Sequence, residues 1–379
     1  LALIAVREEM DREVEGIAGL RYERKGEDGV FRNGVCPGSV KLAGQRIPIS
    51  VPRIRTKDSE VPLRSYQLLH EGPLFDEKMF RKVLYGISCG NYEAAAESVP
   101  GAIGLSSSTV SKRFIETSSE KLKAFQQRDL SADDIVAIFV DGKTFAEDQM
   151  VIALGVTLEG QKIVLGFVQT DTENQRAVAQ FLQSLLDRGL NISKGLLAII
   201  DGAKGLRAAL KKVFRKRVVI QRCHWHKREN VTSYLSASEQ STMRKRLQRA
   251  YDRPTYDEAR DALLKIRREL ELRNQSATNS LDEGFEVTLT LHRLGVFGQL
   301  GLSFKTTNCI ESVNSQVDDR CGKVDYWQNS NQKHRWIAAA LLDIEPRLKP
   351  VRGQQHLPLL REVIMKELGI EHEPVAMAA

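Results

Sequence analysis

Long apolar runs are missing from this 379-residue chain, so no segment has the length of a membrane-spanning helix. The opening Leu1-Ala2-Leu3-Ile4-Ala5-Val6 is cut short by Arg7, Glu8 and Glu9, and no signal-peptide core forms. Its first residue is Leu1 rather than Met, as expected of a fragment or an alternative start codon. Cysteines are few, odd in number and scattered (Cys36, Cys89, Cys223, Cys309 and Cys321), which excludes a disulfide framework and fits a reducing cytosol. Internal repeats and low-complexity segments are also missing. Acidic residues are in deficit. The chain carries 56 Lys and Arg against 49 Asp and Glu, a net charge of +7. That balance suits an anionic partner, nucleic acid first, or a merely basic soluble protein.

What is present is enough apolar material, 42% of residues, for a sizeable core, and enough length for two or three domains. Residues 1–74 read as an accessory region. It has a short helix at Glu8 to Val14 and a hairpin, Lys41 to Arg55, alternating apolar and polar residues around Gly44. Residues 75–130 read as helices. Asn91 is placed to cap a helix through Glu97, Pro100, Gly101 and Gly104 force a turn, and Ser106-Ser107-Ser108 opens a second helix. This is the pattern of a DNA-binding helix-turn-helix, with Lys112 and Arg113 on the second helix, or of an ordinary helical hairpin.

Residues 131–230 predict an α/β segment: strands over 135–140, 151–157 and 162–169, a helix over 175–187, a strand over 196–200, a helix over 206–214 and a strand over 218–220. Residues 231–304 turn charged and helical, with no strand-forming run until after Ser280. Residues 305–350 return to helix. The tail, 351–379, is expected to hold one short helix, Leu359 to Leu368, and then disorder.

Two strands lead into Asp-Gly: Val140-Asp141-Gly142 and Ile200-Asp201-Gly202. Each pair alone is more often a turn signal than a site. In a sheet of three antiparallel strands followed by parallel ones, the first and fourth strands are neighbours and the two acids can meet. Glu311, near the start of a later helix, offers a third carboxylate. Three carboxylates suit hard divalent cations, and two cations on one phosphate is nuclease or strand-transfer chemistry. Cys223-His224-Trp225-His226 supplies half of a zinc-ligand pattern with no second half in view, or a core cysteine beside a hydrogen-bonded histidine. His224, Lys227 and Arg228 could also reach phosphates.

Taken in order, Asp141-Gly142, Asp201-Gly202-Ala203, Gln221-Arg222-Cys223-His224-Trp225-His226-Lys227-Arg228-Glu229-Asn230 and Thr306-Thr307-Asn308-Cys309-Ile310-Glu311-Ser312-Val313-Asn314 resemble the mutator-type transposases of bacterial insertion sequences. The resemblance runs from about Val51 to Ile344, and its most specific part is the Gln221–Asn230 cluster. It implies an α/β, ribonuclease H-like mixed-sheet core interrupted by an all-helical insertion, with an N-terminal helical DNA-binding region. It implies catalytic and metal-binding roles for Asp141, Asp201 and Glu311 with two Mg2+ (or Mn2+) ions. Cys223, His226 and Asn230 match the family motif, structural or DNA-contacting.

The implied reaction is metal-dependent cleavage and strand transfer on double-stranded DNA. The partners are terminal inverted repeats, target DNA and further copies of the chain, as a homodimer or larger, with no membrane, in a bacterial cytoplasm at the nucleoid. DNA contacts are expected at Lys112, Arg113, Lys333, Arg335 and Trp336. For Trp336 a core anchor is the stronger reading, because Ile337, Leu341 and Leu342 follow it. A catalytically inactive DNA-binding derivative is the alternative, and a junction resolvase a third, less suited to the long helical segment.

Overall fold

The computed structural model describes residues 2–22, 29–71, 77–96, 102–170 and 175–371. The chain divides into two compact units, Leu1–Glu120 and Lys121–Ala379. Among the described residues, no helix is long and apolar enough to cross a membrane.

In the first unit, α1 (Ala2–Ala18) packs on a sheet of β1 (Phe31–Leu42), β2 (Gln45–Arg55) and the two-residue β3 (Glu60–Val61). Leu42 pairs with Gln45, leaving Ala43 and Gly44 as the turn, both at positive φ. That is the tight turn whose twist matches paired strands. The hairpin is therefore where the sequence places it, with a longer first arm. Met10, Val14, Val51, Ile54 and Leu63 form the core between helix and sheet. Short helices follow: α2 (Arg64–Glu71), α3 (Glu77–Leu84) and α4 (Tyr92–Ala95). Asn91 stands at the cap position of α4 but its side chain makes no capping bond. Glu97, Pro100 and Gly101 lie outside the described residues. Ile103 then bridges to Arg46, and α5 (Ser107–Gln127) starts where the serines predict.

The second unit is built on a five-stranded sheet in the order β6-β5-β4-β7-β8. Its strands are β4 (Ile135–Phe145), β5 (Asp148–Thr157), β6 (Lys162–Thr170), β7 (Leu196–Ile200) and β8 (Val218–Arg222). The first three pair antiparallel, and β4–β7–β8 are parallel. One expectation needs correction. Asp141-Gly142 is not a strand end, because β4 continues to Phe145 and turns at Ala146-Glu147, both at positive φ. Partners along β5 extend back to Asp148, so the ladder holds Asp141 through Phe145 in register.

The central strands are buried on both faces, as their continuous apolar runs require. On one face, α6 (Gln175–Asp187) and α7 (Lys204–Phe214) cover Ile135, Ile138, Val140, Ala198 and Ile200. On the other, Val136, Phe139, Leu197 and Ile199 meet the later helices through Phe304, Ile310, Val313, Leu341 and Leu360.

After β8 every described regular element is helical. These are α8 (His224–Thr232), α9 (Ala237–Tyr251), α10 (Tyr256–Glu271), α11 (Gln275–Asp282), α12 (Phe285–Thr288), α13 (Thr290–Arg293), α14 (Phe297–Phe304), α15 (Asn308–Cys321), α16 (Ser330–Ile344) and α17 (Leu357–Leu368). α8 to α11 share a core of their own around Leu247, Tyr251, Leu263 and Leu281. The strand-forming run after Ser280 is instead α12 and α13. They dock on the edge strand β8, where Thr290 Oγ1 donates to Ile220 O (2.7 Å) and Gln221 Nε2 to Thr288 O (2.8 Å). Covering the edge with helices satisfies backbone groups that another strand would otherwise take. Pro358 in its first turn lets α17 begin at Leu357, two residues earlier than predicted. The expected disorder at 372–379 lies outside the described residues.

Candidate active site

β4 and β7 set the first two acids level. Ile138 faces Ala198 and Phe139 faces Ile199 in the parallel ladder, so Asp141 and Asp201 each lie two residues further along their own chains. Neighbouring strands stand about 4.8 Å apart. Asp141 is buried and Asp201 half-buried just past the end of β7. Glu311 occupies the first turn of α15, where the helix dipole favours a negative charge.

The three groups act on one another. Burial first, then the charge of Asp201, push the Asp141 carboxyl up to about 7. His226 pulls against that rise and Glu311 adds to it. One oxygen of each carboxylate is held by a donor. Asn314 Nδ2 donates to Asp141 Oδ2 (3.0 Å), the Ala203 amide to Asp201 Oδ1 (2.8 Å) and Thr307 Oγ1 to Glu311 Oε1 (2.5 Å). The second oxygens of Asp201 and Glu311 accept no hydrogen bond among the described residues. Anchored carboxylates with oxygens to spare are the donor set a hard divalent cation takes. The acids share this neighbourhood without forming a closed shell: among the described residues no group of three or more His, Cys, Asp or Glu side chains is gathered as a metal cluster.

Around the acids, the Gln221–Asn230 segment locks three elements together. The Cys223 amide donates to Ile200 O (2.8 Å) and the His224 amide to Lys305 O (2.9 Å), tying the start of α8 to the end of β7 and to the approach to α15. Buried Cys223 Sγ accepts from the Thr307 amide and lies against Thr307 Oγ1, both at 3.4 Å. Burial works to raise this thiol, but hydrogen bonds from His226 and Thr307 outweigh it and hold it below its usual value. His226 Nδ1 lies 3.3 Å from Thr307 Oγ1 and 4.0 Å from Glu311 Oε1. Burial disfavours its protonation, yet the Cys223 sulfur and the charges of Asp201 and Glu311 raise the imidazole above its ordinary range. Arg222 runs beneath Gly202: a Cβ there would stand 2.1 Å from Arg222 Nε, and φ is +111°. Only glycine fits that backbone and that approach.

Comparison with known proteins adds to this geometry. A family model described as transposase, Mutator family, matches residues 3–349. The chain belongs to the Mutator family of transposases. It is similar to the transposase for insertion sequence element IS256 in transposon Tn4001 of Staphylococcus aureus, 26% identical over 349 residues that cover 88% of this chain and 86% of the relative. It is similar also to the transposase for ISRM5 of Rhizobium meliloti, 26% identical with 93% and 88% covered. The transposase for IS6120 of Mycolicibacterium smegmatis is 28% identical, with 62% and 73% covered.

Other residues singled out in this Mutator-family sequence have varied surroundings. Lys112 is exposed on α5, whereas Arg113 turns inward and donates to Gly44 O and Gly104 O, both at 3.2 Å. Lys333 donates to Ala146 O (2.9 Å) and pairs with Asp148 (2.6 Å). Arg335 is buried and donates to Asn331 Oδ1 (2.9 Å). Trp336 packs on the core with its ring edge-on to Trp327. Asn230 is exposed on α8. The phosphate reading of His224 and Lys227 is overturned by burial. His224 stacks on Tyr251 at 4.3 Å, and Lys227 donates to the carbonyls of Ser280 and Glu283. Thr307 and Asn314 are the residues sequence reasoning passed over. Their spacing from Glu311, four before and three after, places them beside it on one helix face.

Proposed function

We propose that this chain is an active insertion-sequence transposase that cleaves DNA at terminal inverted repeats and joins the freed 3′-hydroxyl to a target strand. The observation that carries the reading is the level placement of Asp141 in β4 and Asp201 just past the end of the adjacent parallel strand β7, with Glu311 close enough to raise Asp141 further. The sheet order, three antiparallel strands followed by two parallel ones, supports a ribonuclease H-like core. In that core α9 to α14 are the helical insertion between the second and third acids, and the helices of residues 75–130, with the exposed Lys112, are the DNA-binding region.

Asp141, Asp201 and Glu311 would hold two Mg2+ or Mn2+ ions. When bound, such a pair activates the attacking water or 3′-hydroxyl and neutralises charge at the leaving oxygen. The chain's own groups prepare that step. Asn314 fixes Asp141, the Ala203 amide fixes Asp201, and Thr307 fixes Glu311, so that the acids need not reorganise when substrate arrives. Gly202 leaves the room that Arg222 takes beside Asp201. Two or more copies acting on paired ends, in a bacterial cytoplasm at the nucleoid, complete the reading.

The test is cleavage of labelled terminal-repeat DNA with magnesium. Asp141→Ala, Asp201→Ala and Glu311→Ala are each expected to abolish cleavage while DNA binding persists. Wild-type cleavage by any of the three would remove that acid from the catalytic set.

A further inference from the structure

We infer that the outer face of α7 and the turn after it form a docking surface for the backbone of duplex DNA, continuous with the acid site through Asp201. The inference rests on the transposase reading above and assigns it a surface. Residues 204–217 hold Lys204, Arg207, Lys211, Lys212, Arg215, Lys216 and Arg217, and no acid. These seven cations equal the entire excess of the chain, 56 Lys and Arg over 49 Asp and Glu. The basic balance of the whole protein is therefore accounted for by one segment.

The helix explains why they face outward together. Leu206, Ala209, Leu210 and Phe214 are the buried stripe of α7, packed on β7 and α6. Lys204, Arg207 and Lys211, at spacings of three and four, share a face beside that stripe, where Arg207 is half-buried and lines a groove with Lys211, Glu286 and Glu367, and Lys212 lies on the other flank. Lys204, Lys211, Lys212, Arg215, Lys216 and Arg217 are all exposed. Lys204 pairs loosely with Glu283 (3.6 Å) and Arg217 donates to Ser193 O (2.7 Å). Lys211, Lys212, Arg215 and Lys216 have no acidic partner among the described residues.

The other charged helices differ. On α9 to α11 cations are interleaved with acids and paired, as in Arg244–Glu229, Arg246–Glu269 and Arg267–Asp282. A single-sign face costs self-repulsion in the free protein, which an anionic partner relieves. α7 is about 16 Å long, close to five base-pair steps of duplex; its tract starts at Lys204, three residues after Asp201, and runs back along the sheet to Arg217, level with the start of β7. Duplex flanking the reacting bond is the polyanion that this placement favours.

The experiment is fluorescence anisotropy of the full chain with terminal-repeat duplex across a salt series. It compares wild type, the quadruple variant Lys211→Gln/Lys212→Gln/Arg215→Gln/Lys216→Gln, and a control, Lys265→Gln/Arg268→Gln, on exposed positions of α10. Removing one cation that neutralises a phosphate lowers the slope of log affinity against log salt by about 0.9. The quadruple variant is expected to lose up to about 3.6 from the slope and roughly 10- to 100-fold in affinity at physiological salt, with its melting temperature unchanged and the control near wild type. An unchanged slope in the quadruple variant overturns the inference, as does an equal loss in the control, which would make net charge the cause. Selective loss of single-stranded RNA binding with duplex binding intact also overturns it. Failure of the wild type itself to bind duplex would instead count against the transposase reading.

Discussion

Thr307 offers the sharpest test of how the site is held. It is fully buried, and its hydroxyl donates to Glu311 Oε1 at 2.5 Å while lying 3.3 Å from His226 Nδ1 and 3.4 Å from Cys223 Sγ. Thr307→Val keeps the shape and removes that oxygen. The Thr307 amide still donates to Cys223 Sγ (3.4 Å), so the segment stays anchored and the loss falls on Glu311. A hydrogen bond to a charged group contributes about 1.5–3 kcal/mol. If Glu311 relies on it to keep its position in the transition state, the cleavage rate falls roughly 10- to 100-fold.

The assay is single-turnover cleavage of terminal-repeat DNA, run with DNA affinity, Mn2+ affinity and thermal melting in parallel. Thr307→Val is expected to slow cleavage, weaken Mn2+ binding and lower the melting temperature by no more than the one lost hydrogen bond, while DNA affinity stays near wild type. Thr307→Ser, which restores the hydroxyl, is expected to return the rate to near wild type. A Thr307→Val protein as fast as wild type, or a Thr307→Ser protein as slow as Thr307→Val, would refute the positioning argument.

Two further outcomes follow from buried charges. Burial first drives His224 down to about 3, well below its unfolded value near 6.5, with His292 6.1 Å away working in the same direction. The unfolded chain therefore binds more protons between those values, and stability present above about pH 6.5 is lost as pH falls toward 3, by up to about 5 kcal/mol; urea midpoints between pH 7 and pH 4 measure this, and His224→Gln should flatten the curve. Asp141 has the opposite sign: with its carboxyl raised from 3.8 to about 7, stability is lost as pH rises between those values, so metal-free Asp141→Asn is expected to be more stable than wild type at pH 8, by up to about 4 kcal/mol. Magnesium should raise the wild-type melting temperature by mass action and leave Asp141→Asn unmoved; equal shifts in both would show the ion binding elsewhere.

The mixed α/β character was legible because the strands of the second unit are continuous apolar runs of strand length, and α6 and β7 lie where periodicity and turn residues bound them. The β4–β5 turn was not legible. Ala146 and Glu147 adopt positive φ without any glycine or asparagine to announce it, while Asp141-Gly142 carries a turn signal and sits inside a strand. Tertiary pairing with β5 overrides the local signal there. α12 and α13 misled for a related reason. Their β-branched and aromatic residues suit a strand, but at the edge of β8 Thr290 Oγ1 donates to Ile220 O while the Gln221 side chain reaches out to Thr288 O, and these side-chain bonds seat a helix there.

The same override explains why the acids were visible and their supports were not. A carboxylate past a strand end is solvated and needs no special partner, which is how an Asp-Gly pair reads in isolation. A carboxylate within the ladder of a central strand is buried and must be matched by a donor from outside the sheet. Asn314 is that donor, and it sits three residues after Glu311 on α15. Lys143, two residues after Asp141, donates in turn to Asn314 O (2.8 Å) and pairs with Asp318. One helix therefore carries the third acid and the anchor of the first, and one strand carries the first acid and the cation that grips that helix. Sequence distance between Asp141 and Glu311 is long, but their relation is set by the packing of α15 on β4. A displacement of α15 would move the third acid and release the first together, so the site is present as a unit or not at all.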